Sequence, residues 1–197
     1  MNTSTKEASS EERSRIFDNK SLAKVAVFAA VISAMSFVRI AVGPVPITLE
    51  NLGIMLTGVV LGPWLGALSV ILLLALTALG LPLLGGTGGL ADFVGPASGY
   101  LLGFVIGAFV IGLIAHSGKK LSAWKTALAC LAGGMLIPYI FGIPVTALVI
   151  NQPLQTAAYS ALIFIPGDIV KIIVATLISS ALWKAYPAAF PEKLLAQ

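Results

Sequence analysis

Asp168 and Lys171 lie three positions apart in an otherwise apolar stretch, FIPGDIVK over residues 164–171. On a helix this spacing places both side chains on one face, with Cβ atoms about 5–6 Å apart. Each charge near the middle of a bilayer costs about 2.5–3.5 kcal/mol on insertion scales. Because a polar ligand or a partner charge usually compensates such a cost, the pair is the first candidate for a binding site. A proton-coupled carrier or a purely structural ion pair would use the same two residues.

The composition indicates an integral membrane protein. Hydrophobic residues make up 58% of the 197-residue chain and charged residues 10%, with a mean hydropathy of +1.00, whereas an average soluble domain carries about 25% charge. The length suits one domain with five or six spans of about 20 residues each. The pI near 9.3 does not indicate nucleic-acid binding, because the basic residues lie at the ends of apolar runs and not among aromatic residues.

Motifs for ATP hydrolysis, dinucleotide binding and hydrolytic chemistry are absent from the sequence. The nearest approach to a P-loop, residues 112–120, has one residue too many and lacks the Ser or Thr after the Lys. GGTGG at residues 85–89 has no βαβ context, and neither HExxH nor GxSxG occurs. With a single cysteine, Cys130, and a single histidine, His116, a disulfide framework or a usual zinc site is not expected. The sequence therefore predicts a protein that is not an enzyme and holds neither a cofactor nor a metal.

Apolar runs separated by breaking residues predict an all-α membrane protein with six transmembrane helices in one domain, residues 21–186. The spans are expected at about 21–42, 49–61, 64–79, 93–115, 123–150 and 166–185. The second is only about 20 Å long, so it must be tilted, shielded by neighbours or start below the surface. Pro63 suits the first position of the third helix, and Pro138 and Pro144 are expected to kink the fifth.

The start of the last span has two interpretations. Either a helix over 157–184 is kinked at Pro166, or the span begins at Pro166 after a short outer segment over 157–165. Pro and Asp are both favoured in the first turn of a helix, which favours the second interpretation.

The distribution of basic residues predicts the orientation. Six spans place both termini on one side, which collects ten of the twelve basic residues: Lys6, Arg13, Arg15, Lys20, Lys24, Lys119, Lys120, Lys125, Lys184 and Lys193. The positive-inside rule places this side in the cytoplasm, with tails over 1–20 and 187–197. Glu50, the glycine-rich segment before Asp92, and the Asp168–Lys171 pair then lie towards the outer face, where we expect a binding site.

Small residues recur at four-residue spacing in two spans. Ala26, Ala30 and Ala34 form such a stripe in the first span, and Gly95, Gly99, Gly103 and Gly107 form another in the fourth. These stripes allow another helix backbone to approach closely. For the alanine stripe, the pattern alone leaves internal packing and partner docking equally open.

A set of short motifs in a fixed order resembles the biotin transporter family BioY. The motifs are PITL at 46–49, LGP at 61–63, GLP at 80–82 with the glycines after it, GPASGYLLGF at 95–104 and PGDIVK at 166–171. The resemblance covers residues 20–186. It implies an S component, the biotin-specific substrate-capture subunit of a prokaryotic energy-coupling factor (ECF) ABC transporter. Such a subunit has six helices in the cytoplasmic membrane, an outward-facing biotin pocket, and partners comprising one transmembrane coupling protein and two ATPases.

The resemblance also implies roles for individual residues. Asp168 and Lys171 match an Asp and a Lys of the family, and the resemblance implies that they make the polar contacts with the head group of biotin. A carboxylate can accept from the ureido N–H groups, and an ammonium can donate to the ureido carbonyl. Tyr100 is expected to supply a ring wall. Glu50, where the family often has Gln, is a further candidate contact. Backbone contacts are expected from Gly86, Thr87, Gly88 and Gly89, although Thr87 interrupts the glycine run.

The same resemblance assigns the alanine stripe to docking on the coupling protein. Two other functions stay open at this point. The substrate could be another vitamin, such as thiamine or riboflavin, or the chain could be a self-sufficient proton-coupled carrier of a small solute. A small intramembrane enzyme is the weaker alternative, since no catalytic motif supports it.

Overall fold

The computed structural model describes residues 18–41, 43–118 and 120–191, and most of these are helical. The helices are α1 (Asn19–Ser36), α2 (Glu50–Leu61), α3 (Pro63–Ala78), α4 (Ser98–Ala115), α5 (Ala123–Ala129), α6 (Ile137–Val149), α7 (Leu154–Ala161) and α8 (Ile165–Ala185). A π-helical segment, Cys130–Leu136, joins α5 to α6, and a 3₁₀ turn, Leu162–Phe164, joins α7 to α8. Counting each continuous stretch once gives six helices in the described part of the chain, which confirms the predicted all-α fold.

Three of these stretches are long and apolar enough to cross a membrane: Ser98–Ala115, Ala123–Val149 and Leu154–Ala185. α2 and α3 are apolar but shorter. All twelve residues of α2 are buried, because α1, α3, α4, α8 and the π-helical segment surround it. Of the three solutions expected for a short second span, the structure therefore uses shielding by neighbouring helices.

The first span is shorter than predicted, because the chain leaves α1 at Ser36 and forms a β-hairpin. Its strands, β1 (Arg39–Ile40) and β2 (Ile47–Thr48), pair antiparallel, with Arg39 opposite Thr48 and Ile40 opposite Ile47. β-Branched residues favour this extended pairing, and the turn between the strands contains two prolines. Arg39 is therefore on a hairpin and not on a helix. Val42, the predicted end of the span, lies outside the described residues.

The fourth span also begins later than predicted, at Ser98 instead of residue 93. Leu90–Phe93 is a separate 3₁₀ turn. Pro96 explains the interruption, since the residue before a proline avoids the α conformation and proline itself suits only the first helical turn.

Three glycines of α4 form a close-packing seam with the π-helical segment and α6. A Cβ at Gly99, Gly103 or Gly107 would overlap backbone or side-chain atoms of Phe141, Pro138 or Gly133, respectively. Gly95 lies before α4, where a Cβ would come no nearer than 3.6 Å to the Ala91 carbonyl oxygen, so the predicted seam has three members and not four.

The last span combines features of both interpretations, because the chain is helical without a break over Leu154–Ala185, with a 3₁₀ turn at Leu162–Phe164 just before Pro166. α8 starts at Ile165, with Pro166 in its first turn and Asp168 close behind. α7 and the 3₁₀ turn form the preceding short segment. At the start of α3, Gly62 has φ +82°, and Pro63 occupies the first turn as predicted.

Only parts of the two predicted tails are described. Residues 1–17 and 192–197 lie outside the described residues, and α1 begins at Asn19. At the other terminus, Phe190 is 1% exposed and its ring centroid lies 5.1 Å from that of Trp183. Lys24 donates a hydrogen bond to the Ala189 carbonyl at 3.3 Å. The packed part of the chain therefore extends beyond residue 186.

Candidate ligand-binding site

A cavity lies between the hairpin and the ends of three helices. β2 and the residues just before it, 45–48, line one side. The N-terminal turns of α2, α4 and α8 supply further walls, and the start of α6 supplies Pro138 and Tyr139. We call this end of the bundle the hairpin end. The opposite end carries the start of α1 and Phe190.

Asp168 is the centre of a buried polar network in this cavity. Lys171 Nζ donates to Asp168 Oδ1 at 3.0 Å, and Tyr139 Oη donates to Asp168 Oδ2 at 2.6 Å. The Asn51 amide nitrogen lies 3.5 Å from Asp168 Oδ1, a weaker contact. Asp168 is 3% and Lys171 7% exposed. A buried ion pair depends on such additional hydrogen bonds, because desolvation offsets much of the attraction between the two charges.

The start of α8 explains why Asp168 is held here. The carboxylate lies near the positive end of the helix dipole, and the i, i+3 spacing brings Lys171 to the same face. Tyr139 reaches it from the neighbouring stretch of α6. Within the described parts of the chain, this pair is the one salt bridge.

Two buried acceptor atoms in the same cavity have no partner among the described residues. They are Glu50 Oε1 and Asn51 Oδ1, at the N-terminus of α2. Each parent residue is 7% exposed. A buried polar atom without a hydrogen bond costs about 1–3 kcal/mol, so such atoms in a native cavity call for a ligand donor or a water molecule.

Aromatic rings line much of the remaining cavity wall. The Tyr100 ring lies edge to face with Tyr139 at 6.3 Å and with Phe164 at 6.5 Å between centroids. Phe104 contributes a fourth ring. Gly142 makes room for Tyr100, because a Cβ at that position would overlap the ring. The cavity thus combines an apolar enclosure with a few polar groups, the usual composition of a small-molecule site.

The structure brings together four of the ligand-contact residues predicted from the sequence. Asp168, Lys171, Glu50 and Tyr100 all line the cavity. The segment 86–89 does not line it among the described residues. The ligand contacts of Gly86, Thr87, Gly88 and Gly89 stay a prediction.

The glycine-rich segment, residues 83–89, instead forms hydrogen bonds with the end of α1 and with α3. Ser33 and Ser36 hydroxyls each lie 2.9 Å from the Leu83 carbonyl oxygen, and the Gly85 N–H donates to Ser36 Oγ at 2.7 Å. The Gly89 N–H donates to the Thr77 carbonyl at 2.7 Å. These hydrogen bonds hold the segment against the ends of α1 and α3 in this conformation.

The alanine stripe, Ala26, Ala30 and Ala34, is on the outside of α1. All three residues are exposed, whereas Val25, Ala29, Ile32 and Ser33 face the bundle. Among the described residues, the stripe is therefore not buried against the chain's own helices, and its docking on a partner stays a prediction.

Known proteins resemble this chain over most of its length. The BioY family model matches residues 5–188. The biotin transporter BioY of Rhizobium etli is 42% identical over 178 residues, which are 85% of this chain and 95% of the relative. The chain belongs to the BioY family. The biotin transporter BioY of Thermotoga maritima is 37% identical to this BioY chain over 166 residues, 84% of this chain and 96% of the relative.

A solved structure supports the same conclusion about the fold. It is the crystal structure of the S-component for biotin from an ECF-type ABC transporter, and it matches this BioY chain with a TM-score of 0.79 and 37% identity. The match covers 84% of this chain and 91% of the other. The chain is therefore a multi-pass membrane protein with an S-component fold.

Several residues of the cavity were not predicted from the sequence. Asn51, Tyr139, Phe104 and Phe164 line it but were not predicted as contacts. Asn51 carried a signal, because an amide beside a carboxylate in an apolar run needs a partner. The aromatic residues carried none, since rings are common in any membrane helix.

Proposed function

We propose that this protein captures biotin at the outer face of the cytoplasmic membrane, as the substrate-specific subunit of an ECF transporter. The observation that carries the proposal is the Asp168–Lys171 pair, buried in an aromatic cavity with unpartnered acceptors beside it. The related transporters and the solved S-component support the choice of biotin.

The polar groups of the cavity match the head group of biotin. Its ureido ring offers one carbonyl acceptor and two N–H donors. Lys171 uses one of its three N–H donors on Asp168 and has others for the ureido carbonyl. Asp168 retains acceptor capacity on Oδ2, and Glu50 Oε1 is a further acceptor. Together these groups can satisfy every polar atom of the ureido ring.

The apolar part of biotin suits the aromatic walls. Its fused rings are compact and largely non-polar outside the ureido group, so their burial against Tyr100, Phe104 and Phe164 is favourable. The hairpin residues 45–48 form the side of the cavity nearest the end of the bundle. Access from that end agrees with a site open to the outside.

The energy for transport comes, in this proposal, from partner subunits. No ATP-hydrolysis motif occurs in the sequence, so one transmembrane coupling protein and two ATPases supply it. The exposed alanine stripe on α1 is the docking surface for the coupling protein, because small side chains allow close contact between helix backbones. In this proposal the chain itself needs neither an enzymatic activity nor a cofactor. Membrane lipid surrounds the remaining faces of the helix bundle.

Calorimetric titration of the purified chain in detergent tests the substrate. We expect saturable binding of biotin with one site per chain, and no saturable heat with thiamine or riboflavin at the same concentrations. Tight binding of another vitamin with no saturable heat from biotin would overturn the proposed substrate while leaving the S-component function intact.

A further inference from the structure

The side-chain amide of Asn51 is fixed in one orientation. Its Nδ2 donates to the Gly134 carbonyl oxygen at 2.7 Å and points towards Asp168 Oδ1 at 3.5 Å. Both neighbours are acceptors, so the amide nitrogen must face them and the amide oxygen must face away. Rotation of the amide by 180° would place two oxygen atoms against each other.

Pro138 explains why the Gly134 carbonyl is available to Asn51. In a regular α-helix the N–H of residue 138 would donate to the carbonyl of residue 134. Proline has no N–H, and the chain around Gly134 is π-helical. A carbonyl inside a membrane helix thereby becomes a partner for a side chain of α2.

Asn51 Oδ1 is left as a buried acceptor in the cavity wall. The residue is 7% exposed, and Oδ1 has no hydrogen-bond partner in the described parts of the chain. Asp168, by contrast, already receives Lys171 and Tyr139 at 3.0 Å or less. The acceptors of the cavity that lack a donor among the described residues are therefore not on the carboxylate at the centre of the network but on α2, and they are Asn51 Oδ1 and Glu50 Oε1. Of the two, Asn51 Oδ1 is the one whose direction is set by the contacts of its own amide nitrogen.

We propose that Asn51 Oδ1 accepts a hydrogen bond from one ureido N–H of biotin and so determines specificity for that donor. This assignment rests on the proposed function. The nitrogen and the oxygen of the Asn51 amide then have different roles. The nitrogen anchors the side chain to the Pro138-containing helix, and the oxygen recognises the ligand. A ligand without an N–H at that position leaves a buried acceptor unsatisfied.

Biotin analogues in which one or the other ureido N–H is replaced by CH2 test this assignment. For the wild-type chain, we expect one of the two analogues to bind about tenfold or more weakly than biotin. In Asn51→Ala the affinity for biotin falls, and the preference for biotin over that analogue drops to about one. Desthiobiotin keeps both N–H groups, so the ratio of its affinity to that of biotin should be the same in the wild-type chain and in Asn51→Ala.

Two controls separate recognition from a structural role. Gln155→Ala removes an exposed amide on α7 and should leave every ratio unchanged. Should Asn51→Ala fail to fold, Asn51→Leu keeps the volume and is scored by the same ratio. If the variant loses affinity for biotin and both analogues equally, or if the wild-type chain binds both analogues as tightly as biotin, the assignment is wrong. Failure of the wild-type chain to bind biotin would instead refute the proposed function.

Discussion

Tyr139 donates a 2.6 Å hydrogen bond to Asp168, linking α6 to the first turn of α8. The Tyr139 hydroxyl donates to one carboxylate oxygen of Asp168, and the Lys171 ammonium donates to the other. The orientation of the carboxylate is therefore set by two helices, and the ammonium of Lys171 is held beside it. This arrangement makes the geometry of the ion pair depend on a residue that the sequence did not single out.

Tyr139→Phe should weaken biotin binding by about tenfold, because a hydrogen bond to a charged group typically contributes about 1.5–3 kcal/mol and the ring is retained. Calorimetric titration measures the change. Tyr100→Phe is the matched control, since it removes a hydroxyl from the same cavity that does not bond to Asp168 in this structure. An equal loss in the two variants would contradict a specific role for the Tyr139 hydroxyl.

Asp168→Asn and Lys171→Ala should each lower the affinity for biotin by more than about 100-fold, since each removes a proposed ligand contact and leaves a buried charge without its partner. The same imbalance should destabilise each variant by about 3–5 kcal/mol. Thermal unfolding in detergent, followed beside calorimetry, measures both effects. The double variant Asp168→Asn/Lys171→Met should recover stability without recovering binding. Unchanged affinity in both single variants would make the pair a structural ion pair.

The sequence predicts the parts of this fold that depend on local chemistry. Pro63 and Pro166 mark helix starts, because proline suits the first turn whatever surrounds it. The Asp168–Lys171 pair follows from an i, i+3 spacing within one helix. Each of these relationships spans only a few residues.

Relationships across the bundle could not be predicted in the same way. The contact between Asn51 and Gly134 joins residues 83 positions apart, and no periodicity reports it. Of the hairpin at 39–48, the first strand continues the apolar run of the first span and reads equally well as helix, and no periodicity reports its pairing with Ile47 and Thr48. The glycine-rich segment has the composition of a ligand-binding loop, yet Gly85, Gly86 and Gly89 have positive φ and a Cβ at Gly88 would overlap the Leu81 carbonyl. Glycine is therefore required by the loop's own backbone.

Pro138→Ala should weaken biotin binding several-fold without unfolding the protein. The new N–H at residue 138 can donate to the Gly134 carbonyl and so compete with Asn51 for that acceptor. Pro144→Ala is the matched control, because Pro144 is also inside α6 but does not line the cavity. Calorimetry and thermal unfolding on both variants measure the result. Equal affinities for the two variants would show that the proline at 138 does not act through Asn51.

Ala30→Trp should prevent assembly with the coupling protein and spare biotin binding. The indole would project from the middle of an exposed stripe of small residues, where it blocks close approach of another helix. Copurification with the coupling protein and ATPases measures assembly, and calorimetry measures binding. Leu148→Trp, at a position 80% exposed on α6, is the control and should assemble normally. Normal assembly of Ala30→Trp would place the docking surface elsewhere.

The orientation of the chain can be tested by labelling engineered cysteines. The prediction rests on ten basic residues, of which Lys6, Arg13, Arg15, Lys119 and Lys193 lie outside the described residues. In a Cys130→Ala background, a cysteine at Asn151, which is exposed at the hairpin end, should react with a membrane-impermeant maleimide on intact cells.

A cysteine at Lys120, exposed at the opposite end, should react only after the membrane is permeabilised. The expected pattern follows from the rule that positively charged loops stay in the cytoplasm. The reverse labelling pattern would place the cavity on the inner face. Capture from outside, and with it the proposed direction of transport, would then be excluded.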